Sequence, residues 1–178
     1  MKKLFYFIII LIFSACSVTT EEDTKATATS STAIPDYETT TLSGKVAGTS
    51  WTFQTGRVTV PSSSSGSYWV YMTNDNLSNA CSSTYTGTSS NPTVFYARSE
   101  APAVGETELG WGTDKGTATA YDGSTNYILS TGKISIVTAT TTEVTGKMYA
   151  KYDSDSEING TFTLSRCCTS GSSYALCD

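Results

Sequence analysis

The closing third of the chain alternates with a period of two. Val144, Gly146, Met148, Ala150 and Tyr152 fall on one side, and Glu143, Thr145, Lys147 and Lys151 on the other. Past the acidic residues Asp153, Asp155 and Glu157, the apolar phase resumes at Ile158, Gly160, Phe162 and Leu164. A helix would need apolar residues three and four apart, whereas strict alternation marks a strand with one buried face. The pattern predicts a long antiparallel hairpin with its tip at residues 153–157.

Strand and turn signals continue upstream. Trp51 and Phe53 alternate with polar neighbours, and past Gly56 the apolar phase moves to Val58 and Val60, which implies a bulge or break. A Ser-rich loop is expected at residues 61–66. Tyr68, Trp69, Val70, Tyr71 and Met72 are apolar on both faces, as in a central strand. Residues 74–92 are polar and read as the longest loop, with strands expected at 93–98 and 106–111. Asp122-Gly123 supplies a hairpin turn between strands at 117–121 and 126–130, and a further strand is expected at 132–138. No window carries a helical period. The fold class that follows is all-β: an antiparallel β-sandwich or partly closed β-barrel of about nine or ten short strands.

The first residues have a different character. Lys2 and Lys3 precede a ten-residue apolar run, residues 4–13, and a bilayer needs roughly 20. A basic start, a short apolar run and small residues read as a secretory signal. The segment Phe13-Ser14-Ala15-Cys16 resembles the lipobox of bacterial lipoproteins, departing from it at Phe13, where Leu is usual. The resemblance implies a signal peptide over residues 1–15, acylation of Cys16 and membrane lipid as a partner through that group. Ser17 follows the cysteine, without an Asp to resemble an inner-membrane retention signal. Outer-membrane anchoring in the cell envelope is therefore expected, facing the periplasm or the cell surface. Glu21-Glu22-Asp23 resembles a surface-export tract, although a solvated charge run is the ordinary reading. Residues 16–40 have little to bury and read as a lipidated start and disordered tether with a coil span of about 27 Å. The all-β domain is expected over residues 41–178.

Three short motifs, Gly132-Lys133-Ile134-Ser135-Ile136, Val144-Thr145-Gly146 and Ile158-Asn159-Gly160-Thr161-Phe162, resemble the closing strands of small β-rich bacterial lipoproteins of unknown function. That resemblance implies a fold type and no activity.

Five cysteines are present. With Cys16 acylated, Cys81, Cys167, Cys168 and Cys177 make an even set, which in an exported chain favours two disulfides. A bridge between the adjacent Cys167 and Cys168 is strained, so two pairings remain. If the last strand continues from Leu164, Cys168 points inward and Cys167 outward. This favours Cys81–Cys168 with Cys167–Cys177 closing the tail; the alternative exchanges Cys167 and Cys168.

The chain contains no histidine, which removes His-based general bases, Ser-His-Asp triads and His-ligated zinc together. A net charge of −5 argues against nucleic acid. Asp153, Asp155 and Glu157 have the spacing of a calcium loop, but Ile158 stands where its glycine belongs, and a solvated hairpin tip is the better reading. Glu106 and Glu108 share a strand face and are the candidates for a carboxylate-based hydrolase. Trp51 and Trp69 read as core residues. Trp111, between Gly110 and Gly112, is the aromatic expected to be exposed and the candidate ligand contact.

The expectation is a non-enzymatic envelope lipoprotein with a structural or binding role, implying no catalytic residue, cofactor or metal. A glycan or an envelope protein is the expected partner. A carbohydrate- or ligand-binding module is the alternative, and the hydrolase the second. Cys16→Ala is expected to move the protein from the membrane fraction to the soluble fraction; persistence in the detergent phase would contradict the lipidation.

Overall fold

The alternation of the closing third becomes a hairpin of two long strands. In the computed structural model, which describes residues 33–60, 68–98, 103–170 and 173–178, β10 (Glu143–Asp153) pairs antiparallel with β11 (Ser156–Ser170). Val144, Met148, Ala150, Ile158, Phe162 and Leu164 all lie inward at 3% exposure or less. Tyr152 leaves this face. The register shifts between Lys151 and Asp153, and the exposed Tyr152 ring meets Tyr127 edge-on.

Ahead of the hairpin run β1 (Ser43–Val46), β2 (Thr49–Thr52), β3 (Thr55–Val60), β4 (Tyr68–Thr73), β5 (Thr93–Arg98), β6 (Gly105–Leu109), β7 (Ala118–Tyr121), β8 (Asn126–Leu129) and β9 (Thr131–Ala139). After it comes β12 (Ser173–Leu176). The twelve strands form one sheet in the order β6-β9-β10-β11-β3-β4-β5-β7-β8, with β1, β2 and β12 off this path. Among the strand pairs of the described residues, only β3–β11 is parallel. The sheet curls until its ends nearly meet, where Leu109 of β6 bridges Gly116 just ahead of β7. The architecture is thus a nearly closed barrel, and the described residues contain no helix.

The core fills the inside of that curl. Val58, Val70, Tyr96, Ala118 and Leu129 lie in one cross-strand row, and Met72, Val94 and Ala120 in the next. Trp51 is buried, and its Nε1 donates to the Pro92 carbonyl at 2.8 Å, which satisfies its one polar atom. The break expected near Gly56 falls at Phe53 and Gln54, between β2 and β3. The Asp122-Gly123 turn joins β7 to β8. There the Asp122 carboxylate accepts the backbone N–H groups of Thr125 and Ser124, which lowers its pKa to about 2. The loop expected at residues 61–66, the signal peptide and Cys16 lie outside the described residues.

Two features differ from expectation. Ala47 and Gly48, at φ 51° and 76°, turn β1 into β2, forming a hairpin whose turn carries no Asn or Asp. Moreover, residues 36–40, read from sequence as part of the tether, are bonded to the sheet. The Asp36 carbonyl accepts Asn159 Nδ2 at 3.0 Å, and the Glu38 N–H donates to Asn159 Oδ1 at 3.0 Å. The Tyr37 hydroxyl donates to Glu106 at 3.0 Å beneath the Lys133 ammonium, and the Thr161 N–H donates to the Thr40 carbonyl. Polar residues strap themselves to the outside of the sheet by backbone bonds, which composition does not reveal.

Gly160 is what lets that strap lie close. Its φ is +141°, and a Cβ there would stand 2.6 Å from the Thr40 carbonyl oxygen and 2.7 Å from Leu42 Cα. Gly48, also at positive φ, has nothing within 4 Å of its virtual Cβ. Both replacements by alanine carry a backbone strain of about 1–3 kcal/mol, but only Gly160→Ala adds a clash. Urea denaturation is expected to show Gly160→Ala as clearly the more destabilised of the two.

Candidate functional site

Residues paired across β3, β4 and β5 share a face, so the ladder sorts their side chains into inner and outer rows. The outer rows are Arg57, Tyr71 and Phe95, and next to them Thr59, Trp69 and Ala97. In the parallel pairing, Cys167 of β11 stands beside Thr59. The outer side of the barrel therefore carries neighbouring rings. Trp69 stacks on Tyr71 at 6.3 Å with planes 23° apart, and meets Phe95 at 6.5 Å. Trp69, read from sequence as core, is 39% exposed. β4 is central in the sheet, as expected, yet its outer face is only partly covered.

The partial cover is the long loop, residues 74–92. Cys81 on this loop bonds to Cys167, and Cys168 to Cys177. This corrects the favoured pairing and matches the alternative. Alternation had placed Cys167 outward correctly; the error lay in assuming that Cys81 reaches the inside. The loop crosses the outer face, so the outward thiol is the one it meets, and Cys168 on the Leu164 side takes Cys177.

Arg57 holds the loop from below. Its Nη1 donates to the carbonyls of Cys81 at 2.7 Å, Ser83 at 2.9 Å and Ala80 at 3.3 Å. Its guanidinium lies 4.7 Å from the Tyr85 ring centroid, 5.2 Å from Tyr71 and 5.5 Å from Tyr174 of β12. Cation–π contacts of this kind contribute roughly 0.5–2 kcal/mol each, the more so when desolvated. The Tyr85 hydroxyl donates to the Ala80 carbonyl, and burial pushes its pKa up to about 12 against the opposing pull of Arg57. Tyr71 is raised in the same way, chiefly by burial. Between the loop, Arg57 and β12 lies an open concavity of about 430 Å³, lined also by Tyr71, Ser82, Ser83, Thr84 and Ser173. Its size falls in the range of small-ligand sites.

The other candidates lie apart from this cluster. Trp111 is 75% exposed on the turn after β6 and is not one of the rings gathered around Trp69. Glu106 accepts the Tyr37 hydroxyl and Glu108 pairs with Lys115 at 2.6 Å, each already partnered on the exposed face of β6. Glu157 pairs with Lys151 at 2.7 Å and accepts the Tyr149 hydroxyl, while Asp153 accepts the Asp155 N–H. Among the described residues these acids do not converge into a metal-binding group. Arg57, Tyr85 and Tyr174 had no signal in the sequence, because only cross-strand register and the loop's path bring them together. Comparison with known proteins adds nothing to this geometry: no protein-family model, curated protein or solved structure matches the chain.

The two bridges differ in what they constrain. Cys81–Cys167 spans 86 residues and Cys168–Cys177 spans 9. On the loop-entropy relation these correspond to at most about 4.6 and about 2.6 kcal/mol. Cys81→Ser is expected to lower the melting temperature well beyond Cys177→Ser, and peptide mapping of the oxidised protein should return these two pairs. Equal shifts would contradict the assignment of the main constraint to the loop bridge.

Proposed function

We propose that this chain is a lipid-anchored binding protein of the bacterial cell envelope, held to the membrane through acylated Cys16 and offering the outer face of its barrel to a saccharide. The observation that carries the reading is an open concavity lined by the rings of Tyr71, Tyr85 and Tyr174, with Trp69 stacked on Tyr71 beside it and Phe95 next to Trp69 on the same side of the sheet. Aromatic faces take the C–H side of a sugar ring, and hydroxyls at the rim take its polar edge. Leaving a tryptophan 39% exposed forgoes roughly 25 cal/mol for each Å² of apolar surface that burial would remove from water. A role confined to scaffolding gives no reason for that arrangement beside a concavity.

Binding is favoured over catalysis by the lining itself. Among the described residues, serine, threonine, tyrosine, one cystine and one arginine surround the concavity, a set that supplies hydrogen bonds but no general base. Wild-type protein is expected to retain saccharides on a glycan array. Trp69→Ala should weaken that binding about tenfold, a loss of about 1.4 kcal/mol, without a comparable fall in melting temperature. Trp111→Ala should leave it unchanged. Retention of no glycan, or unaltered binding by Trp69→Ala, would overturn the proposal.

A further inference from the structure

We infer that the saccharide taken by this face is acidic, with a carboxylate directed at Arg57. The inference rests on the saccharide-binding reading above and specifies its ligand class. Arg57 sits half-buried at the concavity, and every partner it has there is neutral: three backbone carbonyls on Nη1 and three tyrosine rings around the guanidinium. Its Nε is buried and makes no hydrogen bond. Among the described residues the ion pairs are Lys115 with Glu108 and Lys151 with Glu157, and no carboxylate answers Arg57. None of the described residues lining the concavity is acidic, in a chain whose net charge is −5. Carbonyls and ring faces orient a guanidinium but do not cancel its charge, and a partly desolvated cation gains most from an anion.

The geometry also places the two halves of such a ligand. The Tyr71 ring neighbours both Trp69, at a centroid distance of 6.3 Å, and the Arg57 guanidinium, at 5.2 Å. A pyranose ring resting on Trp69 and Tyr71 therefore directs a substituent toward the guanidinium. The hydroxyl-bearing rim of Ser82, Ser83 and Thr84 remains for the ring oxygens. A carboxylate suits the site better than a phosphate dianion. One guanidinium balances one negative charge, and a second would be left facing an acidic protein.

Isothermal titration calorimetry of the full chain with oligoglucuronate and with its carboxyl-reduced, neutral counterpart tests this. The acidic form is expected to bind about tenfold more tightly at low salt. The gap should narrow as salt screens the pair, and Arg57→Met should close it. Because Arg57 also holds the loop, the wild-type comparison at two salt concentrations decides the matter by itself. Equal affinity for the two probes, or a gap insensitive to salt, would overturn the carboxylate while leaving saccharide binding in place. Binding of neither probe, with no glycan retained on the array, would overturn both.

Discussion

A strand has two edges, and β11 fills both of them along most of its length. On one edge it bonds to β10 and then, past Ser165, to β12; on the other it bonds to β1 and then to β3. The two halves of the sheet path, β6-β9-β10 and β3-β4-β5-β7-β8, are joined through this strand. Backbone bonds of this kind contribute only about 0.5–1.5 kcal/mol each in net terms. Their weight comes from cooperation, since the ladder sets which residues face inward on four neighbouring strands at once. Leu164 and Phe162 point into the core because the register is held, and Cys167 points out for the same reason.

The two sides of the sheet are then put to different uses. The inner rows are aliphatic and aromatic and are closed to water. The outer rows near β11 carry Arg57, Tyr71, Trp69 and Phe95, surfaces that would be costly in isolation and are partly covered by a polar loop. That loop has little apolar surface of its own. Its hold is chemical rather than hydrophobic: a disulfide to β11, a charged fork from β3, and the Trp51 N–H on Pro92 at its far end.

Much of the fold was legible because period-two alternation is a local signal. The long hairpin and the all-β class follow from it, while the Asp122-Gly123 turn follows from turn chemistry and the central placing of β4 from a short run apolar on both faces. What was not legible depends on tertiary context. Ala47-Gly48 makes a tight turn without the Asn or Asp that usually announces one. Asp36, Glu38 and Thr40 bind through their backbones, which no side-chain pattern reports. A strand apolar on both faces implies cover on both sides but cannot say how complete the cover is, and so Trp69 was assigned to the core. The disulfide pairing turned on which face the loop crosses. Arg57, the hub of the candidate site, is a lone cation between Gly56 and Val58 until Tyr71, Tyr85 and Tyr174 are folded against it.

Adjacent cysteines with separate partners set a demand on the order of events during oxidation. In an unfolded chain Cys167 and Cys168 are almost equally near Cys177, and loops of about ten residues close in roughly 10–100 ns. Proximity therefore gives almost no preference between the native tail bridge and one that captures Cys167 and strands Cys81. Preference arises only when β11 is extended, because its neighbouring thiols then point to opposite sides. At these cysteines β11 is paired with the local β12 on one edge and with β3, a partner from far earlier in the sequence, on the other, and the non-local pairing is the slow one. Oxidation that outruns assembly of the sheet would trap mispaired thiols, so correct bridging calls for a compartment where disulfides are reshuffled as well as formed.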